Sequence, residues 1–578
     1  MQLVRRFRIP ALFCALAVLV CELIARAFTT MGVADDGSYI LITQTLAATG
    51  HVVYNGNTTP LLGWQLYLGA AFVKLLGFSF ITVRLSTLLV ALSLSFLLQR
   101  TLVRAGIHER NATLATLAFV LSPMYLLLSA TFMTDITGLF AILLCLYGCL
   151  RALQSPTPRV AIAWLCFAVT TNALCGTSRQ IAWLGVLVMV PSTLWLLRAH
   201  RRVVLAGAAA TLAGVLFILA CMLWFLHQPY NVHEPLLPST FPIIHVLSEL
   251  IHLCLDAPFL LLPIVALFLP QLRNGRRGIQ ALFAITSVAY ALLLIHWRHS
   301  HTGFLLEPTQ TDWVGVHGIY ESMALHGHPP IFLHPWLRVL LTIASLGGAL
   351  GLFSSFFRPQ NSTPRTQDPR PPSTSATISW SQLGMLLTPF TLAYSLLLIP
   401  RATVWVPDRY LLALLMIALL CLVRYYQDQI HSQLPLASVV FVGLMAIYGT
   451  VVLHNTFAIY HARVTLAAEI HSSGVPDTSV DNGWETNYVV ELQHSHFLND
   501  FRMVLPANAY VPTPPPPTPQ CAMNQFDETP HIHPLYSVSF DPNACYGPAP
   551  FAPMHYSRWF ASAPGTLYVV RSTPPAQP

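Results

Sequence analysis

Residues 9–36 read IPALFCALAVLVCELIARAFTTMGVADD: an apolar run long enough to cross a bilayer and, at its end, two adjacent carboxylates, Asp35 and Asp36. Charge is scarce in this chain. Asp, Glu, Lys and Arg make up 9% of its 578 residues, where a soluble domain has roughly 25%. A chain this short of charge seldom sets two acids side by side at a membrane exit without a chemical use for them. The plainer alternative is a solvated loop end or a helix cap.

Outward from that stretch, apolar runs of roughly 18 or more residues recur along most of the length. The hydrophobic fraction is 54% and the mean hydropathy +0.59. These values imply an all-α polytopic membrane protein whose core is made of packed spans. The sequence predicts about thirteen transmembrane helices, at 9–28, 80–99, 111–130, 134–152, 160–176, 180–197, 203–225, 251–271, 279–297, 336–357, 380–399, 409–425 and 435–455. A net charge of +7 does not point to nucleic acid, because the basic residues punctuate the apolar runs instead of gathering in one tract. Alternate loops collect them. Arg5, Arg6, Arg8, Arg100, Arg104, Arg110, Arg151, Arg159, Arg198, Arg201, Arg202, Arg273, Arg276, Arg277, Arg358, Arg365, Arg370 and Arg424 fall on one side, which the positive-inside rule makes cytoplasmic. Asp35, Asp36, Asp135, Asp408 and everything after 456 fall on the outer side.

Several stretches are not spans. The first apolar run ends in Ala25-Arg26-Ala27, the form of a signal-peptidase site, but Glu22 and Arg26 make it a poor one and an uncleaved first helix is expected. Within a first outer loop at 29–79, residues 60–78 (PLLGWQLYLGAAFVKLLGF) suit an amphipathic helix lying along the outer interface. Residues 359–379 form a Pro/Ser/Thr-rich cytoplasmic linker. The membrane domain is expected at 1–455. A small extracytoplasmic domain with a PTPPPPTP tract at 512–519 is expected at 456–578. Of eleven cysteines only Cys521 and Cys545 fall in that tail, and an oxidising compartment makes them candidates for a disulfide.

Five motifs follow one another along the chain. They are Asp35-Asp36-x-x-Tyr39 before LAATG (46–50); Pro60-x-x-x-Trp64 leading through Gly77 to Val83-Arg84-Leu85-Ser86; Ser122-Pro123 with Thr131-Phe132-Met133-Thr134-Asp135; Gly176-Thr177-Ser178-Arg179; and Arg401 through Asp408-Arg409-Tyr410. Taken in order, they resemble those of the GT-C membrane glycosyltransferases, especially the bacterial branch of lipid A aminoarabinose transferases and protein O-mannosyltransferases. The first looks like that family's D-[DE]-x-x-Y…G pattern, the third like its second outer Asp, the last like the R-Y that opens a late span. The resemblance covers roughly residues 1–455. One departure is Thr58-Thr59 before Pro60, where close relatives often carry a Lys.

The resemblance implies inverting transfer of a sugar from a polyprenyl-phosphate donor to an envelope acceptor (lipid, glycan or protein). The reaction would take place on the outer, periplasmic face of a bacterial inner membrane. The chemistry agrees with it. The donor phosphate is already a good leaving group, so transfer needs a carboxylate to take the acceptor's proton and fixed cations to hold the departing phosphate. With arginine serving the phosphate, no metal or other cofactor is expected. Asp35 would be the general base, with Asp36 and Asp135 positioning base or acceptor. Arg179 and Arg409 would clamp phosphate, Tyr410 would donate a hydrogen bond, and Tyr39 and Arg401 would complete the binding set. The bland alternatives are arginines snorkelling to headgroups, a belt tyrosine at 410 and a helix cap at Asp135. The 23 histidines, among them His296, His299, His301, His317, His326, His328 and His334, match no established zinc spacing. A transporter or flippase of lipid-linked glycan is the alternative from another class. It would place acids or broken helices at mid-membrane, whereas here the acids gather at one boundary.

Overall fold

The computed structural model describes residues 9–232, 238–300, 314–315, 317–319, 325–356, 378–403, 406–498, 521–526 and 528–574. Arg5, Arg6, Arg8, His301, almost all of the linker at 359–379 and the PTPPPPTP tract lie outside the described residues. In chain order the helices are α1 Ile9–Ala25, α2 Asp36–Thr49, α3 Gly63–Leu76, α4 Phe80–Arg104, α5 Glu109–Val120, α6 Pro123–Ser129, α7 Thr134–Leu153, α8 Pro158–Cys175 and α9 Val190–Leu196. There follow α10 Arg201–Leu226, α11 Ile243–Leu260, α12 Leu262–Val265, α13 Arg277–Ser300, α14 Pro335–Phe356, α15 Trp380–Arg401, α16 Leu412–Tyr425, α17 Leu436–Ser472 and α18 Trp484–Ser495.

Local chemistry sets many of the boundaries. Ser79, Ser122 and Thr157 each cap a helix by accepting a backbone N–H, and Ser379 with Gln382 forms a capping box. Pro123 and Pro158 open their helices, where a missing N–H costs nothing. Nine of the described helices are long and apolar enough to cross a membrane, ten when α5 and α6, bent by 70°, form one span. Among the described residues, not every one of the thirteen expected stretches is a single full-length span. The stretches expected at 9–28 and 180–197 fall on shorter apolar helices, and that at 251–271 straddles Ile243–Leu260 and Leu262–Arg273. Pro258, Pro263 and Pro270 interrupt this last stretch, each removing a backbone donor. The chain is a multi-pass helical membrane protein. Its outward leucines, such as Leu205, Leu212, Leu216, Leu219 and Leu223 along α10, are exposed because lipid is their solvent.

The domain boundary expected at 455 falls inside one continuous helix. Helix α17 runs for 37 residues. Beyond the apolar half the helix-forming residues continue through Ala458, Ala462 and Leu466, so the helix outlasts the hydrophobicity that marked the span. Two short strands, β1 Val314–Gly315 and β2 Gly318–Ile319, pair as a hairpin. The C-terminal region folds as a four-stranded sheet in the order β3-β4-β6-β5. Its strands are β3 Val480–Asp481, β4 Tyr536–Ser539, β5 Met554–Tyr556 and β6 Gly565–Arg571. β3 is parallel to β4 and the other pairs are antiparallel. Val538, Leu567 and Val569 pack on Leu466 and Ile470 of α17. Cys521 and Cys545 are bonded, their Cα atoms 4.8 Å apart.

Candidate active site

The loop between α1 and α2 is built round one buried ion pair. Arg84 and Asp36 have side-chain exposures of 1% and 0%. Arg84 Nε donates to Asp36 Oδ2 and Nη2 to Oδ1, both at 2.8 Å. The same guanidinium donates to the carbonyls of Thr29 and Met31, each at 2.7 Å. Asp36 accepts two backbone bonds besides, from Val33 N–H at 2.8 Å and Phe132 N–H at 3.0 Å. A buried charge is tolerated when its partners are so filled. Asp36 was expected beside the reacting centre but does not line the cavity described next. Its carboxylate is occupied in joining the α1–α2 loop to α4 and to the segment that leads to Asp135.

That cavity, of about 570 Å³, opens at one end of the helix bundle. Asp35, Tyr39, Asp135, Arg179, Arg401, Arg409 and Tyr410 all line it. Ala34 holds a left-handed conformation (φ 50) that turns the chain just before Asp35. The Asp35 side chain is 34% exposed and its Oδ2 lies 3.8 Å from Arg409 Nη2. Arg409 Nη1 is 3.9 Å from Asp135 Oδ2, an oxygen with no hydrogen-bond partner among the described residues. Asp135 Oδ1 accepts from Arg179 Nη1. The stem of Arg179 lies across Gly138, where a Cβ would sit 3.0 Å from Arg179 Cβ, so a larger residue at 138 would push the guanidinium away. The Tyr410 ring faces both cations, its centroid 4.5 Å from Arg179 Cζ and 5.7 Å from Arg409 Cζ. Burial, then the Asp35 carboxylate, pushes the Tyr39 phenol well above its ordinary range, so it stays a proton donor. Met222, Phe225 and Leu226 of α10 form an apolar wall. Carboxylates, arginines and a greasy wall thus share one space.

Other residues that build the site carry no motif. Gln65 Nε2 donates to Phe132 O at 2.7 Å while its Oε1 accepts from Thr137 Oγ1 at 2.7 Å, which fixes the start of α7 and so Asp135. Asn172 Nδ2 donates to Ala141 O and Ala182 O at 3.0 Å, and its Oδ1 accepts from Val186 N–H. These bonds hold the helical break that presents Arg179. An amide inside an apolar run is costly unless paired, and that cost is the signal by which Asn172 can be picked out in VTTNALC. Thr59 lines the cavity, as do Asn57, Tyr394 and Gln525, the last from the C-terminal region. Among the described residues one cluster has metal-ligand spacing, His326 with Cys521 and Cys545. The two cysteines are bonded to each other, and His326 Nε2 is 3.1 Å from Asp481 Oδ2.

Fold and site together define a polytopic membrane protein with a polar, arginine-lined pocket at one end of its bundle. No family model matches the sequence, and no curated protein matches it. Among solved structures the chain is similar to apo ArnT from Cupriavidus metallidurans, with 15% identity, 81% of this chain and 82% of that chain covered, and a TM-score of 0.39. It is similar to the same protein bound to undecaprenyl phosphate, at 14% identity, 82% and 83% coverage and a TM-score of 0.40. A further likeness is to the S. cerevisiae protein O-mannosyltransferase Pmt1-Pmt2 complex bound to its sugar donor, at 15% identity, 41% and 37% coverage and a TM-score of 0.33.

Proposed function

We propose that this chain is an inverting glycosyltransferase of the GT-C type. It moves a sugar from a polyprenyl-phosphate donor to an envelope acceptor on the outer face of a bacterial inner membrane. The observation that carries the reading is the partly exposed Asp35 carboxylate, 3.8 Å from Arg409 in a cavity that Arg179, Arg401 and an apolar wall also line. Asp35 takes the proton of the acceptor hydroxyl as that oxygen attacks the anomeric carbon. The bond from that carbon to the phosphate oxygen breaks, and its electron pair leaves with the phosphate. Arg409, Arg179 and Arg401 meet the growing negative charge. Attack from the face opposite the phosphate inverts the centre. Asp135 holds the two nearer arginines in place, and the α10 wall suits the first isoprene units of the carrier.

The test is transfer by the purified protein in liposomes, using polyprenyl-phosphate sugars extracted from cells with and without it. Transfer with inversion at the anomeric carbon is expected. Movement of intact lipid-linked glycan across the bilayer, with no sugar transferred, replaces this reading with a transporter.

A further inference from the structure

Helix α18 lies in the C-terminal region, more than four hundred residues from the Asp35 loop in sequence, yet one of its side chains enters that loop. Tyr488 is fully buried. Its Oη donates to Ala34 O at 2.7 Å and accepts from Gly37 N–H at 2.9 Å. A single hydroxyl therefore ties the backbone on both sides of Asp35 and Asp36. The fit leaves no slack. A Cβ at Gly37 would come within 2.6 Å of Tyr488 Oη, and one at Gly32 within 2.9 Å. The Ala34 carbonyl that Tyr488 holds belongs to a residue in the left-handed region (φ 50), a conformation that a β-carbon makes costly and that surroundings must impose. Burial, with the Asp36 and Asp35 charges behind it, pushes the Tyr488 phenol well above its ordinary range, so the hydroxyl keeps its proton.

Tyr488 is itself anchored. Arg463 of α17, fully buried, donates to Asn482 O and, at 3.1 Å, to Glu485 Oε2 in the first turn of α18. Asn487 Oδ1 accepts from Asn482 N–H at 3.0 Å and its Nδ2 donates to Asp481 Oδ1 at 2.7 Å. The Trp484 ring packs on Tyr488 with centroids 4.4 Å apart. A rigid path runs from the membrane helix α17 through Arg463 and α18 to the backbone beside Asp35.

We infer that Tyr488 is a positioning residue for Asp35: its hydroxyl, bridging Ala34 O and Gly37 N–H, holds the proton-accepting carboxylate toward the cavity. The inference rests on the glycosyltransferase reading given above for Asp35, and it makes the C-terminal region part of the active site.

Tyr488→Phe keeps the ring and removes the bridge. Expected is a fall in kcat of about tenfold, with the donor KM within about twofold of wild type, since aim is lost and donor binding is not. Rates are taken per molecule that binds the lipid donor, so partial unfolding does not enter. Amide exchange at residues 33–38 should quicken while exchange elsewhere in α18 stays as it was. An unchanged kcat, or unchanged exchange at 33–38, overturns the inference. So does a variant in which exchange rises throughout α18 and kcat and KM worsen together, for that is a purely structural role. If wild-type protein transfers no sugar at all, the functional reading fails, and the exchange arm still decides whether Tyr488 holds the loop.

Discussion

Asp35 and Asp36 are neighbours of one chemical type, and the structure gives them opposite surroundings. Asp35 is a third exposed, faces a cavity and has an arginine 3.8 Å away. Asp36 is fully buried and fills its oxygens with two bonds from Arg84 and two from the backbone. A carboxylate that already accepts four short bonds has no lone pair to offer a substrate proton. One that stands a third exposed at the edge of a cavity is within a substrate's approach. On the proposed reading, a two-acid motif at a membrane exit divides its labour between the chemistry and the frame that holds the chemistry.

The largest effect should come from the residue on the cavity side. Asp35→Asn keeps the size and most hydrogen bonding of the side chain but cannot accept a proton, so transfer should fall by roughly 10²–10⁴-fold. Thermal unfolding in detergent should be unchanged. If this variant keeps near-wild-type transfer while Asp135→Asn abolishes it, the base is Asp135 and the division between the two neighbours is misassigned.

On the buried side, Arg84→Met should cost stability first. It leaves Asp36 as an uncompensated buried charge, a loss of about 3–5 kcal/mol, read as a lower unfolding temperature and a poor yield of monodisperse protein. A variant that folds as well as wild type and loses only rate would place Arg84 and Asp36 in the chemistry after all.

The distinction between the two acids is also where the sequence stops being legible. Hydropathy and arginine placement mark the helices because a bilayer demands long apolar runs, and each expected span meets a helix or a helix pair. Asp35, Asp135, Arg179 and Arg409 stand out because charge is rare enough here to be conspicuous. Which of two adjacent acids is buried depends on Arg84, 48 residues later, and on a backbone N–H at Phe132. No local pattern encodes such a pairing. The expected boundary at 455 falls within a helix for a related reason: hydropathy reports where the lipid ends, and α17 continues past that point. Tyr488 was invisible, since a tyrosine in a polar tail has no signature until the fold carries it to the Asp35 loop.

Arg409 stands between Asp35 and Asp135 and sharpens the comparison at an intermediate scale. Arg409→Ala should raise the donor KM and lower kcat together, by roughly tenfold each, because phosphate is held in both the ground and the transition state. A change in KM alone would mean that Arg409 binds the donor without meeting the charge that develops as it leaves.

The smallest effect is expected at Gln525, which brings the C-terminal region to the cavity on the substrate's side rather than the frame's. An amide lining such a space offers a hydrogen bond worth about 0.5–1.5 kcal/mol. Gln525→Ala should therefore raise the KM for sugar or acceptor by roughly two- to tenfold and leave kcat alone, the mark of an interaction equal in ground and transition states. The contrast with Tyr488→Phe is the point of the measurement, since that variant should do the reverse. If Gln525→Ala lowers kcat at constant KM, both tail residues act through the loop and the tail frames the site without reading the substrate. If it shifts KM for one acceptor and not another, the tail takes part in choosing what receives the sugar.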